Sequence, residues 1–171
     1  MPRGLPGHDP ERRGFNYDPG LARRLIAQAG FPEGLTVDSF GSTYQNWSRD
    51  PERKLLNSML EAVGIKVRFE EMSDEDYRRR IKEGGRPKLV WSGWYADYPD
   101  PDNFFYVVLH SSQSQYVGTN YRNPALDELV MKGRRESDIE QRDKLYRKAE
   151  QLLLEDPPFA PLYHEIGRAH V

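Results

Sequence analysis

The stretch Leu60-Glu61-Ala62-Val63-Gly64-Ile65-Lys66-Val67-Arg68-Phe69 changes its period at one residue. Before Gly64, the apolar positions Leu55, Leu56, Met59, Leu60 and Val63 follow helical spacing. After it, Ile65, Val67 and Phe69 alternate with Lys66 and Arg68, as in a strand. A glycine suits the left-handed position just past a helix end. Helix, glycine stop, strand is the repeating unit of an α/β fold.

The same unit stands on both sides. Upstream, Leu21, Ala22, Leu25, Ile26 and Ala29 have helical spacing, Gly30 stops them, and Leu35–Phe40 alternates. Downstream, Ser73 is placed to cap a helix with Asp76 at N3 and Tyr77 and Ile81 on one face. Leu89-Val90-Trp91 then reads as a short buried strand. Strands separated by helices imply parallel pairing through right-handed crossovers. Asp18-Pro19, Asp50-Pro51, Asp100-Pro101 and Asn123-Pro124 each set an N-cap acceptor before a proline at N1. The second part of the chain reads differently. A loop over Trp94–Asp100 leads to a helix holding Phe104, Phe105, Val107, Val108 and Leu109. A polar loop covers Ser111–Asn120, and helices follow over Pro124–Arg134 and Asp138–Glu155. Phe159–Tyr163 reads as a closing strand.

Composition narrows the function. The 171 residues suffice for one sizeable domain, and 25 basic against 27 acidic residues leave a net charge of -2. No basic surface for nucleic acid is implied. The absence of cysteine excludes disulfides, thiolate metal sites and a cysteine nucleophile. No apolar run approaches the ~20 residues of a membrane-spanning helix. Met1–Arg13 has no apolar core of the kind a signal peptide needs. His8, His110, His164 and His170 are isolated, and no Glu-x-x-His spacing, Walker A motif or nucleophile elbow occurs. The run Arg78-Arg79-Arg80, beside Asp74, Glu75 and Asp76, reads as a solvated helix face. Glu165-Ile166-Gly167-Arg168-Ala169-His170-Val171 matches the in-frame translation of a common sequencing adapter, so this tail is left out of the fold.

The loop is the most informative site. Trp91, Trp94, Tyr95 and Tyr98 lie beside Asp97 and Asp100. Aromatics give an apolar wall with polar tips, and a carboxylate among them can hold an ammonium group. From spacing alone, Asp97 is as readily a turn carboxylate that caps backbone N–H groups. Asp100 is accounted for as the cap before Pro101, and Trp91 as core. A pair Asp97 and Asp100 could also serve a hydrolase, in which case the chain would be a stand-alone cytoplasmic α/β domain.

Five segments, in order, decide between these readings. They are Tyr17-Asp18-Pro19 with Ala29-Gly30-Phe31-Pro32; Leu60–Val67; Gly93-Trp94-Tyr95-Ala96-Asp97-Tyr98-Pro99-Asp100-Pro101; Tyr121-Arg122-Asn123-Pro124; and Arg142 with Leu145-Tyr146, Glu155-Asp156-Pro157-Pro158 and Pro161-Leu162-Tyr163. Together they resemble the family 5 solute-binding proteins of ABC importers, of the oligopeptide and dipeptide type. The resemblance implies an α/β chain forming one lobe of a two-lobed, type II periplasmic-binding-protein fold, with a mixed, mostly parallel sheet flanked by helices. Residues 17–164 would form the second lobe after an irregular lead-in over 1–16. It implies a binding module rather than an enzyme, monomeric, extracytoplasmic, without a cofactor, delivering a peptide or other small solute to membrane permease subunits. Asp97 would hold the α-amino group of a bound peptide. Trp94, Tyr95 and Tyr98 would line the pocket. Relatives carry peptides, haem, nickel chelates or sugars, so the ligand itself stays open.

Overall fold

The computed structural model describes residues 1–2, 4–43, 51–114 and 120–163. Its backbone divides into two compact units, Phe15–Gly93 and Met1–Gly14 with Trp94–Val171.

The Phe15–Gly93 unit begins with α1 (Pro19–Gln28), where Asp18 caps by accepting from Leu21 N. α1 ends as its sequence requires: Gly30 takes φ +96°, its N–H bonds Ala27 O at 3.0 Å, and Phe31 N bonds Ile26 O at 3.1 Å. That paired closure satisfies the last carbonyls of the helix. β1 (Leu35–Ser42) and β2 (Ile65–Met72) pair in parallel, Leu35 against Ile65 through Ser42 against Met72. Between them runs α2 (Pro51–Ala62), and α3 (Asp74–Lys82) follows β2 with Ser73 accepting from Asp76 N. The cap expected at Asp50 lies outside the described residues. The two strands start where two glycine backbones meet. Gly34 has φ +84° and Gly64 φ +92°, and a Cβ on Gly34 would lie 2.3 Å from the carbonyl oxygen of Gly64. Leu35 N bonds that same oxygen at 2.8 Å. Phe40 is the buried apolar side chain of β1, with Arg80 of α3 over its ring at 3.9 Å. On α3, Arg79 pairs with Asp76, and Arg80 also pairs with Glu70 at 2.6 Å; these are exposed pairs, as the charge run suggests.

Leu89-Val90-Trp91 is not a strand. Leu89 docks on β1 through a side chain instead: Ser39 Oγ donates to Leu89 O at 2.7 Å and accepts from Leu89 N at 3.2 Å. One hydroxyl has taken both backbone groups that a ladder would have used. Trp91 is half-buried, with the Arg53 guanidinium over its ring at 5.0 Å.

The other unit is helical. α4 (Pro101–Phe104) runs straight into a π-turn over Phe105–Leu109. The sequence predicts a regular helix here. The difference arises because His110 N bonds Phe105 O at 2.9 Å, closing a five-residue step. The turn sends both Phe105 and Leu109 into the core. α5 (Pro124–Arg135) is capped by Asn123 and α6 (Ile139–Glu155) by Asp138, within a residue of the expected bounds. Phe105, Leu109, Tyr121, Leu126, Val130, Tyr146 and Ala149 form one buried cluster. Tyr146 is its centre: the ring stacks on Phe105 at 5.3 Å, and its atoms lie 3.0 to 3.4 Å from where a Cβ on Gly133 would be. Burial pushes its hydroxyl up to about 12. The amino-terminal turn joins this unit, with Gly7 N bonding Asp143 Oδ1 at 2.5 Å.

Phe159–Tyr163 is not a strand either. Phe159, Leu162 and Tyr163 are exposed, and Pro161 lacks one of the donors a ladder needs. The tail from Glu165 lies outside the described residues. No helix among the described residues is long and apolar enough to cross a membrane. Leu126 is fully buried in the cluster. Leu126→Ala is expected to cost about 2–5 kcal/mol, seen as faster amide exchange across α5 and α6.

Candidate functional site

The Trp94–Pro101 loop begins in coil, because the strand expected to feed it does not form. It ends at Asp100, whose side chain accepts from Asp102 N at 2.8 Å and so caps α4. This short helix returns two side chains to the loop. Asn103, fully buried, accepts from Trp94 Nε1 at 2.7 Å. Asp102 accepts from the Tyr98 hydroxyl at 3.0 Å. Each aromatic is thereby held at its polar tip while its ring remains partly exposed, 37% for Trp94 and 43% for Tyr98. Burial, then the Asp102 carboxylate, holds the Tyr98 hydroxyl above its ordinary range.

Asp100 has a second partner. Arg142 of α6 grips it with a two-pronged ion pair, both bonds 2.7 Å. The same guanidinium donates from Nε to Gly133 O of α5 at 2.9 Å. Arg142 lowers the Asp100 carboxyl below the usual carboxylate range, and Asp100 in turn raises Arg142. Asp102 pairs with Arg134 at 2.9 Å, and Arg134 stacks over the Tyr106 ring at 3.6 Å. Tyr98, Asp100, Asp102, Arg134 and Arg142 line a charged cleft of about 270 Å³ behind the loop.

The four residues singled out from the sequence divide in two. Trp94 and Tyr98 are fixed to the first turn of α4. Tyr95, 72% exposed, and Asp97 stand out into solvent. No hydrogen bond or ion pair among the described residues engages the Asp97 carboxylate. Of the three carboxylates at positions 97, 100 and 102, it is the one left without a cation. Asn103, Arg134 and Arg142 are the neighbours of the candidate site that sequence reasoning missed. The density of carboxylates in the loop was a signal that basic partners must lie elsewhere in the chain. Among the described residues, no group of three or more His, Asp or Glu is placed to hold a metal ion.

The Asp100 pair has a pH signature. A carboxyl depressed in the folded state adds stability above its unfolded value of about 3.9, and that stability is lost as pH falls through the lower native value. Asp100→Asn keeps an oxygen for the cap but not the charge. It is expected to lower stability by about 1–3 kcal/mol at pH 7. It should also flatten the loss of stability below about pH 4 in urea titrations. An unchanged acid limb would show that other carboxylates carry it.

The sequence profile described as "Bacterial extracellular solute-binding proteins, family 5 Middle" matches residues 1–116, which include this loop. Heme-binding protein A of Haemophilus influenzae is 29% identical over 99% of this chain and 31% of its own length. Di/tripeptide-binding protein 2 of Pseudomonas aeruginosa is 31% identical over 95% of this chain and 31% of its own. Among solved structures, the ABC transporter-associated periplasmic binding protein DppA from Helicobacter pylori, in complex with the peptide STSA, superposes with a TM-score of 0.80. It is 30% identical and covers 94% of this chain and 31% of its own. The dipeptide binding protein from Pseudoalteromonas sp. SM9913, in complex with Met-Leu, gives 0.74 at 28% identity, covering 92% and 32%. The chain thus spans about a third of the length of these relatives. The α/β reading and the periplasmic-binding-protein architecture both hold. The chain belongs to the bacterial extracellular solute-binding proteins, family 5.

Proposed function

We propose that this chain supplies one wall of the binding site of an extracytoplasmic, monomeric solute-binding protein, which takes up a peptide or a related small solute and delivers it to ABC permease subunits. Residues 17–164 would form the second lobe, and ligand would be enclosed between two lobes whose closure signals the permease. The observation that carries this reading is the exposed Asp97 carboxylate, met by no cation among the described residues, on a loop whose Trp94 and Tyr98 are held from behind. Peptides are bound by relatives of this chain, STSA by the Helicobacter protein and Met-Leu by the Pseudoalteromonas one.

In this reading Asp97 holds the α-amino group of a peptide by a charge-assisted hydrogen bond. Trp94, Tyr95 and Tyr98 present apolar surface to its first residues. Backbone pairing would supply much of the affinity and tolerate many side chains. A hydrolase using Asp97 with Asp100 has no observation in its favour. A general acid needs a raised pKa, whereas Arg142 lowers that of Asp100.

In the two-lobed protein, Asp97→Ala should weaken peptides with a free amino terminus by about 10- to 100-fold, the loss of one hydrogen bond to a charged group. N-acetylated peptides should lose far less, and equal losses by calorimetry would remove Asp97 from this role. The 171-residue chain by itself should bind the same peptides poorly, because one wall encloses little of a ligand. Submicromolar binding to it alone would sink the two-lobe reading.

A further inference from the structure

The loop itself is held by groups that no ligand would touch. Asp100 stands where three restraints converge. It caps α4, it receives both prongs of Arg142 at 2.7 Å, and through Arg142 Nε it is tied to Gly133 O on α5. α4 carries Asn103, which holds Trp94, and Asp102, which holds Tyr98. Any shift of the first turn of α4 therefore moves both aromatics that flank Asp97. Pro101–Phe104 is a single turn that continues into Phe105–Leu109, so the core anchors its far end while its first residues have little cohesion of their own. Their position must come from outside the turn.

We propose that Arg142 is a positioning residue of the binding loop: through Asp100 it fixes the first turn of α4, and so sets Trp94, Tyr98 and the intervening Asp97 in their binding geometry before ligand arrives. This rests on the reading of the loop as the ligand site, and it adds a residue on α6 that never meets the ligand. The pair has a second effect. By neutralising Asp100, Arg142 removes a competing anion, as Arg134 does for Asp102, and leaves Asp97 as the loop's open carboxylate. Lysine would serve less well, because it lacks the planar fork that meets both carboxylate oxygens while Nε bonds Gly133 O.

The readout is the exchange rate of the Trp94 indole N–H with solvent, followed by NMR on the 171-residue chain and assigned with Trp94→Phe. This proton is bonded to buried Asn103, so it reports how often the loop leaves α4. Arg142→Met should speed its exchange about tenfold or more, with Arg142→Lys between the two. If Arg142→Met does not fold, Asp100→Asn retains the cap and breaks only the charged pair. A folded variant of either kind with unchanged indole exchange overturns the proposal. In the two-lobed protein, a loop competent only a tenth of the time lowers every affinity tenfold. Asp100→Asn should thus weaken free and N-acetylated peptides by the same factor, about ten, and unchanged affinity for both would also overturn the proposal. Asp97→Ala should leave indole exchange alone and act only on the preference for a free amino terminus. Failure of the Asp97 role and failure of the Arg142 role therefore show in different measurements.

Discussion

A single carboxylate organises the helical unit that carries the Trp94–Pro101 loop. Asp100 must satisfy the free N–H of Asp102 at the start of α4 and also neutralise a half-buried guanidinium. The two demands are compatible because a carboxylate has two oxygens and lone pairs to spare. An ion pair of this kind adds little if its net worth is counted against apolar replacements. Its value is geometric. It joins a loop, a four-residue helix and two long helices at one point, and Arg142 there also reaches the Tyr146 hydroxyl of the core at 3.5 Å.

The charge pattern around the loop follows from this arrangement. Carboxylates at 100 and 102 are each met by an arginine from the α5–α6 pair, and the one at 97 is met by nothing among the described residues. A cluster of three anions would repel itself if none were compensated. Two of the three carry an arginine, and the third, Asp97, stays exposed. The aromatics obey the same division: rings outward, polar tips bonded inward.

What could be read in the sequence was local. Asp18, Ser73, Asp100 and Asn123 cap their helices because the acceptor and the donor are two or three residues apart. Gly30 and Gly64 stop helices for equally local reasons. Leu89–Trp91 and Phe159–Tyr163 have the composition of strands, but a strand exists only where a neighbour offers a ladder. Ser39 removed that option for Leu89, and nothing in a linear pattern predicts a hydroxyl doing so. The loop at Trp94–Asp100 stood out from its residue types as a candidate site. Arg142 as partner of Asp100 was not, since forty-odd residues separate them and any of several basic side chains could have met that carboxylate.

The meeting of Gly34 and Gly64 bears on how descendants of this sequence can change. Each backbone is left-handed; a Cβ on Gly34 would meet the Gly64 oxygen at 2.3 Å, and one on Gly64 would press on Gly34 Cα at 3.2 Å. Once either position gains a side chain and the strand starts move apart, much of the crowding that kept the other as glycine is gone, and only its own backbone angle still favours glycine. Two sites far apart along the chain therefore share one restraint. Lineages should keep both glycines or release both, so the pair would register as a coupled, covarying position wherever many such sequences are set side by side.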